Sequence, residues 1–416
     1  MRNEVSNLKL IKKKNLLLRI LNTLFLLSLP MMPIFTRKGY YILGLLVCAI
    51  TFIIYLRNGF KLSSFEKMEI VFTICILASL LYSYNLNSSI EVLIKNIRIV
   101  IFASIAIRMT FIINRDVKVS VYSIGKCFVV GTLLISIYIY FAEFGMRRIN
   151  NRYGEIVFSK EYGTYITYSY NLIISMCMLI YNQFYNIKSN KEKIQNIIIS
   201  FVIGYFTLIS GTRKAVVIPI IFTIMIIVSK NRKNIIKLIK YGILFSIFIV
   251  LIYNIIMKVD SLYSIMGHRM ESLLIGTSSG QDNSIIERAL MREYAWRLFI
   301  KKPIIGNGAG TFRDFFVDLS GKYLYSHNNH LEILSSLGII GYSVFYGWIF
   351  FILCKLYSLI KRGDNICIGL FSFIIIQVIF DYGTVSYNNE QYILIYSLAA
   401  FYCHKKQFIN KTLIEG

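Results

Sequence analysis

Apolar residues in this chain fall in long blocks separated by short polar gaps. A helix that crosses a bilayer needs about 20 mostly apolar residues. That ruler predicts twelve spans, near 15–35, 39–57, 68–84, 96–114, 120–143, 163–184, 194–211, 214–230, 238–257, 331–356, 365–383 and 389–404. Arg98 and Arg108 interrupt the fourth. The first apolar run follows Lys12, Lys13 and Lys14, yet it is too long for a signal sequence and has no small-residue cleavage site. It reads as an uncleaved span. The expected fold is an all-α polytopic membrane protein with about 12 transmembrane helices. Residues 1–257 would carry spans one to nine, 258–330 a long outer loop, and 331–416 spans ten to twelve with a cytoplasmic tail.

Composition supports this pattern. The 416 residues are 56% hydrophobic and 16% charged, whereas soluble domains carry about 45–50% and about 25%. A water-soluble enzyme of ordinary design is excluded. Lys and Arg number 46 against 21 Asp and Glu, a net charge of +25. In a soluble protein such an excess would suggest nucleic acid; in a membrane protein the positive-inside rule is the first account. The basic N-terminal segment, the connections holding Arg57 and Lys61, Arg115 and Lys118, Lys188 to Lys193, Lys230 to Lys237, Lys361 and Arg362, and the tail with Lys405 and Lys406 all fall on one side. Both termini are therefore expected in the cytoplasm and no nucleic-acid partner is needed. The seven cysteines lie within spans or at their cytoplasmic edge, so no disulfide framework is expected. No repeat relates the first six spans to the last six.

Some cations stand on the disfavoured side. The connections 144–162 and 258–330 are both outer and basic, and a short outer turn carries Arg213 and Lys214. Solvation or headgroup anchoring explains such residues as readily as function does. The long loop also holds His268, His327 and His330, three of the four histidines. Its Gly306, Gly308 and Gly310 lack the Lys-Ser/Thr and βαβ context of a phosphate loop and read as a turn after Pro303. His327 and His330, at i and i+3, could share a helix face and bind a metal, but only Glu332 is near them and at the wrong angle, so no metal site is expected. Arginine forks match phosphate oxygens, and histidine takes a proton near neutrality. Arginines beside one histidine at the membrane surface suit a lipid-linked diphosphate substrate.

The run Arg288…Pro303-Ile304-Ile305-Gly306-Asn307-Gly308…Phe312, then His327-Asn328-Asn329-His330-Leu331-Glu332…Gly338-Ile339-Ile340-Gly341, resembles the signature region of the O-antigen ligase and Wzy-type polymerase superfamily. Ser210-Gly211-Thr212-Arg213 resembles the family's Ser/Thr-Arg motif. The resemblance covers about 284–341 and 209–215, with topology alone supporting the rest. It implies a metal-independent, inverting glycosyltransferase without cofactor, acting on undecaprenyl-diphosphate-linked donor and acceptor glycans at the outer face of the cytoplasmic membrane. Flippase and chain-length regulator proteins are the implied partners. His327 would be the catalytic histidine, and Arg213 and Arg288 the diphosphate-binding arginines. Lys214 and Arg292 are second choices for that role, and Asn328, His330 and Glu332 are further site candidates. Arg152 weakly resembles another basic position, although the Pro-Asn that often follows in the family is replaced by Phe158-Ser159-Lys160-Glu161. Polymerisation of repeat units into O-antigen or capsule is the favoured activity. Ligation of a finished glycan to a lipid A core is the alternative within the family. A flippase or secondary transporter fits the hydropathy equally well; such proteins usually show related halves, which are not found here, and mid-membrane charges. Arg98, Arg108, Lys126 and Asp381, within or near spans, keep that reading open, with snorkelling near span ends as their simpler explanation.

Overall fold

The computed structural model describes residues 2–31, 64–114, 116–142, 165–187, 189–267, 271 and 283–412. Every described element is helical, and no strand occurs among these residues. The described parts of the segments read as spans fall on helices, and 39–57 lies outside the described residues. Among the described residues six helices are long and apolar enough to cross a membrane: Val117–Ala142, Asn190–Ile209, Arg213–Asn231, Ile235–Lys258, Asn329–Lys361 and Asn365–Gly383. The chain divides into two compact units, residues 1–51 with 109–276, and residues 52–108 with 277–416.

The first unit contains α1 (Arg2–Met31), α4 (Val117–Ala142), α5 (Tyr165–Tyr185), α6 (Asn190–Ile209), α7 (Arg213–Asn231) and α8 (Ile235–Lys258). Its core joins α4, α5 and α6 through Ile135, Ile139, Tyr168, Leu172, Ile203 and Phe206. α1 lies so close to α4 at Gly131 that a Cβ there would overlap the Pro30 ring. Hydroxyls inside this apolar core need partners, because no water is present to supply them. Ser175 accordingly donates to Thr132 at 2.9 Å, and Thr132 to the Phe128 carbonyl at 2.9 Å. α8 shows the opposite condition: of its side chains only Ile256 is buried. An apolar helix that leaves most of its side chains uncovered is suited to lipid.

The second unit contains α2 (Ser64–Ser79), α3 (Leu86–Asn114, as far as Arg108), α9 (Asn283–Lys301), α10 (Phe312–Ser320), α11 (Asn329–Lys361), α12 (Asn365–Phe380) and α13 (Glu390–Thr412). Phe72, Phe345, Trp348 and Tyr396 form an aromatic core; the Phe72 and Phe345 rings lie 5.1 Å apart. The charged residues near spans are held inside this unit. Arg108 is buried, pairs with Glu66 and lies over the Phe401 ring at 4.7 Å. Arg98 pairs with Glu390 at 3.0 Å, and Asp381 is wholly buried. Snorkelling at span ends does not describe these three, whereas exposed Lys126 fits it. The stretch expected as an outer loop carries two helices, α9 and α10. Met291, Ala295 and Leu298 of α9 pack against Phe312 and Phe316 of α10.

Candidate active site

The site begins with a broken helix. At Gly338, φ is 64° and ψ is −166°, so α11 cannot continue its hydrogen-bond ladder there. A helix interrupted in an apolar setting must have its freed backbone groups satisfied. The segment 302–311 does this as a strap. Ile339 N–H donates to the Pro303 carbonyl at 2.9 Å, and Ile340 N–H to that of Ile304 at 3.3 Å. In return Asn307 N–H donates to the Ser335 carbonyl at 3.0 Å, and Gly308 N–H to that of Ser336 at 2.9 Å. The Asn307 amide adds bonds to the carbonyls of Leu298 and Ser335, both at 2.9 Å.

The glycines of the two motifs are explained by this exchange. Gly306 has φ 76°, and a Cβ there would overlap the Ser336 carbonyl; a Cβ at Gly338 would overlap that of Ile304. Only glycine combines positive φ with so close a backbone approach. The strap is also tied to the α2–α3 turn. Ser89 Oγ donates to the Ala309 carbonyl at 2.6 Å, Ala309 N–H to Ser79 Oγ at 3.1 Å, and Tyr84 N–H to the Asn307 carbonyl at 3.1 Å. The triple-glycine run is thus a brace, in agreement with its reading as a turn rather than a phosphate loop.

The His327 turn leads into the same helix. Asn328 caps α11 by accepting from Leu331 N–H at 3.0 Å. Glu332 reaches back to accept from Ser326 N–H at 3.0 Å, and Ser326 Oγ donates to the Asn328 carbonyl at 2.9 Å. Between these fixed points His327 adopts φ 54°, the one non-glycine positive φ among the described residues. A left-handed L-residue costs roughly 1–2 kcal/mol, and such strain persists where the surroundings over-determine it. The imidazole is half-buried, with its centroid 4.3 Å from the Tyr325 ring. A side chain held in this way has little orientational freedom to lose on binding a partner.

Asn329 anchors the turn from beneath. Its carbonyl accepts from the backbone N–H groups of Ser386 and Tyr387, each at 2.9 Å. Its amide donates to Tyr346 Oη at 2.9 Å and to Asp381 at 3.3 Å. Asp381 also accepts from the Tyr346 hydroxyl at 2.9 Å and the Gln377 amide at 2.8 Å. His330 points elsewhere. It stacks on Tyr346 with centroids 4.6 Å apart, and its Nδ1 is 3.2 Å from the Tyr342 hydroxyl. His330 and Glu332 thus take supporting positions, His330 in an aromatic stack and Glu332 in the cap of α11.

Arg288 and Arg292 lie one turn apart on α9 and so share a face. Arg288 is exposed. Arg292 lies over the Tyr382 ring at 5.4 Å, next to Asp381 in sequence. The second-choice arginine is therefore the one the fold draws toward the base of the His327 turn. Arg213 and Lys214 belong to the first unit. There Gly211 has φ 65°, Thr212 is the N-cap residue of α7, and the Thr212 and Ser169 hydroxyls are 2.8 Å apart. Both cations are half-buried in the first turn of α7. Arg152 lies outside the described residues.

Residues 198–346 match the family model described as O-antigen ligase. This match includes Arg213, Arg288, the strap, the His327 turn and the broken start of α11, so the resemblance to the O-antigen ligase and Wzy-type superfamily holds over the region that carries the motifs. It supports a membrane enzyme of O-antigen ligase or polymerase type, and with the apolar helices it indicates a multi-pass membrane protein. No curated protein matches the chain.

Sequence reasoning missed Arg313 and Asp381 as parts of this region. Arg313 follows Phe312, and nothing in its neighbours distinguishes it from a solvated helix residue. In the structure it is half-buried, over the Tyr323 ring at 5.6 Å. Burial disfavours its charge, but the Glu332 carboxylate and the Tyr387 and Tyr323 hydroxyls outweigh that and hold its pKa above the ordinary arginine value.

Proposed function

We propose that this protein is an inverting glycosyltransferase that polymerises undecaprenyl-diphosphate-linked oligosaccharide repeat units at the outer face of the cytoplasmic membrane. His327 takes the proton from the acceptor hydroxyl as that oxygen attacks the anomeric carbon of the donor. The bond from that carbon to the diphosphate breaks, and undecaprenyl diphosphate leaves with the electron pair. Arg288, with Arg292 beside it on α9, neutralises the departing charge. Arg213 is assigned the same task on its sequence motif. The reaction needs positioning and electrostatics alone, so no metal or cofactor is invoked.

The observation that carries this reading is the strained His327 turn, fixed by Asn328, Glu332 and Asn329 within the matched region. A structural loop histidine has no need of a left-handed backbone braced on both sides. Because the matched family is described as a ligase, transfer of a finished glycan to another acceptor is the second reading. Cells lacking the protein separate the two. Accumulated single lipid-linked repeat units are expected for a polymerase; accumulated long lipid-linked polymer would assign ligation instead.

A further inference from the structure

The second unit contains a cationic cluster that the reading above does not use. Gly310, two residues before α10, sits directly on α3; a Cβ there would come within 2.6 Å of Val92 Cγ2 and 3.2 Å of the Ser88 carbonyl. Lys95 lies three residues after Val92 on the same face of α3, and Arg313 three residues after Gly310. The two side chains therefore share one corner, where Lys95 feels the Glu390 carboxylate and, against it, the like charge of Arg313. Arg98, one turn further along α3, is tied to Glu390 at 3.0 Å. Lys95 and Arg313 have no carboxylate within ion-pair distance among the described residues, and the buried Nε of Arg313 has no hydrogen-bond partner there.

Carboxylates are near, but they are committed elsewhere or turned outward. Glu332 accepts from Ser326 N–H, and Glu91 is exposed. Two half-buried cations in one corner repel each other, and a buried guanidinium N–H left without an acceptor costs free energy. An oxyanion between them would satisfy both conditions at once. The Tyr323 ring lies beside Arg313 at 5.6 Å, a cation–π contact that holds the guanidinium in place.

Resting on the glycosyltransferase reading for the identity of its ligand, we propose that Lys95 and Arg313 form a second anion site, beside the His327 turn, for an oxyanion of the lipid-linked glycan. Two groups share that chemistry, a phosphate of the lipid carrier and a carboxylate of an acidic sugar. The site discriminates among substrates; proton transfer stays with His327.

Equilibrium binding to the detergent-solubilised full chain tests this without turnover. The probes are farnesyl diphosphate, a glucuronic-acid tetrasaccharide, and farnesol as the uncharged control. Wild type is expected to bind at least one charged probe, and Lys95→Met and Arg313→Gln are each expected to weaken that binding by about tenfold or more. Arg313→Lys should fall between, because it keeps the charge but not the fork. A response to farnesyl diphosphate assigns the carrier phosphate; a response to the tetrasaccharide assigns the sugar acid. Thermal unfolding identifies any variant that fails to fold, and Lys95→Met then stands in for Arg313→Gln. Binding by folded Lys95→Met and Arg313→Gln within about twofold of wild type, or to neither charged probe in wild type, would overturn the site. Equilibrium binding involves no turnover, so a failure of the catalytic assignment would leave this result intact, and the reverse.

Discussion

The Ser210–Lys214 corner and the Ser326–Glu332 corner both deliver a candidate residue at the entry to a membrane helix, but they are held very differently. At Thr212 a glycine in the left-handed region, the Ser210 hydroxyl accepting from Thr212 N–H at 3.4 Å, and the interhelical Thr212–Ser169 hydroxyl contact turn the chain into α7. At His327 the strain falls on the histidine itself. A cap, a returning carboxylate, an asparagine anchored on Asp381, and a helix break filled by the strap all contribute. A bound diphosphate tolerates a charge placed within an ångström or so, whereas proton transfer needs a base at hydrogen-bond distance and in line. The difference in bracing follows the difference in the chemistry assigned to each corner.

The largest test of this contrast is the helix break. Gly338→Ala adds a Cβ where the Ile304 carbonyl already stands and forces a positive φ on alanine. A loss of several kcal/mol is expected, seen as failure to accumulate in the membrane. Gly363→Ala has a similar φ of 85° but open space around it, so its cost should stay near about 1 kcal/mol. Equal effects from the two would show that the strap contributes nothing.

Next comes Asp381→Ala, which strips an acceptor from Asn329, Tyr346 and Gln377. The expected loss is about 3 kcal/mol in thermal unfolding, with transfer falling further because the His327 turn loses its anchor. Smaller again is Glu332→Ala, at about 1–2 kcal/mol, since one backbone N–H loses its partner. In the other corner Gly211→Ala should cost about 1 kcal/mol and leave the His327 turn's activity determinants alone. A larger loss there than at Asp381 would reverse the comparison.

Much of the helical fold could be read from hydropathy, because an apolar run of span length is a direct statement about where a helix can sit. α8 and α11 both announce themselves this way. Their roles could not be told apart by hydropathy, because a break at Gly338 repaired by a segment 30 residues earlier is a long-range hydrogen-bond exchange that leaves the apolar pattern unchanged. The Gly-x-Gly run was legible as a turn, but its partner was not. Arg98, Arg108 and Asp381 looked like span-end charges because pairing with Glu390, Glu66, and the Asn329–Tyr346–Gln377 set depends on packing between distant helices. Arg288 was preferred by spacing to Pro303, yet it is exposed, while Arg292 one turn further along the same face lies over Tyr382. His327 was legible only through the motif around it; its left-handed backbone follows from the caps on either side.

The central claim is that His327 is the base for glycosyl transfer. Purified protein reconstituted in lipid with a lipid-linked repeat unit, wild type beside His327→Ala, tests it most directly. The account predicts a ladder of extended products from wild type and none from a variant that still folds and inserts. A ladder from His327→Ala matching that of wild type would contradict it.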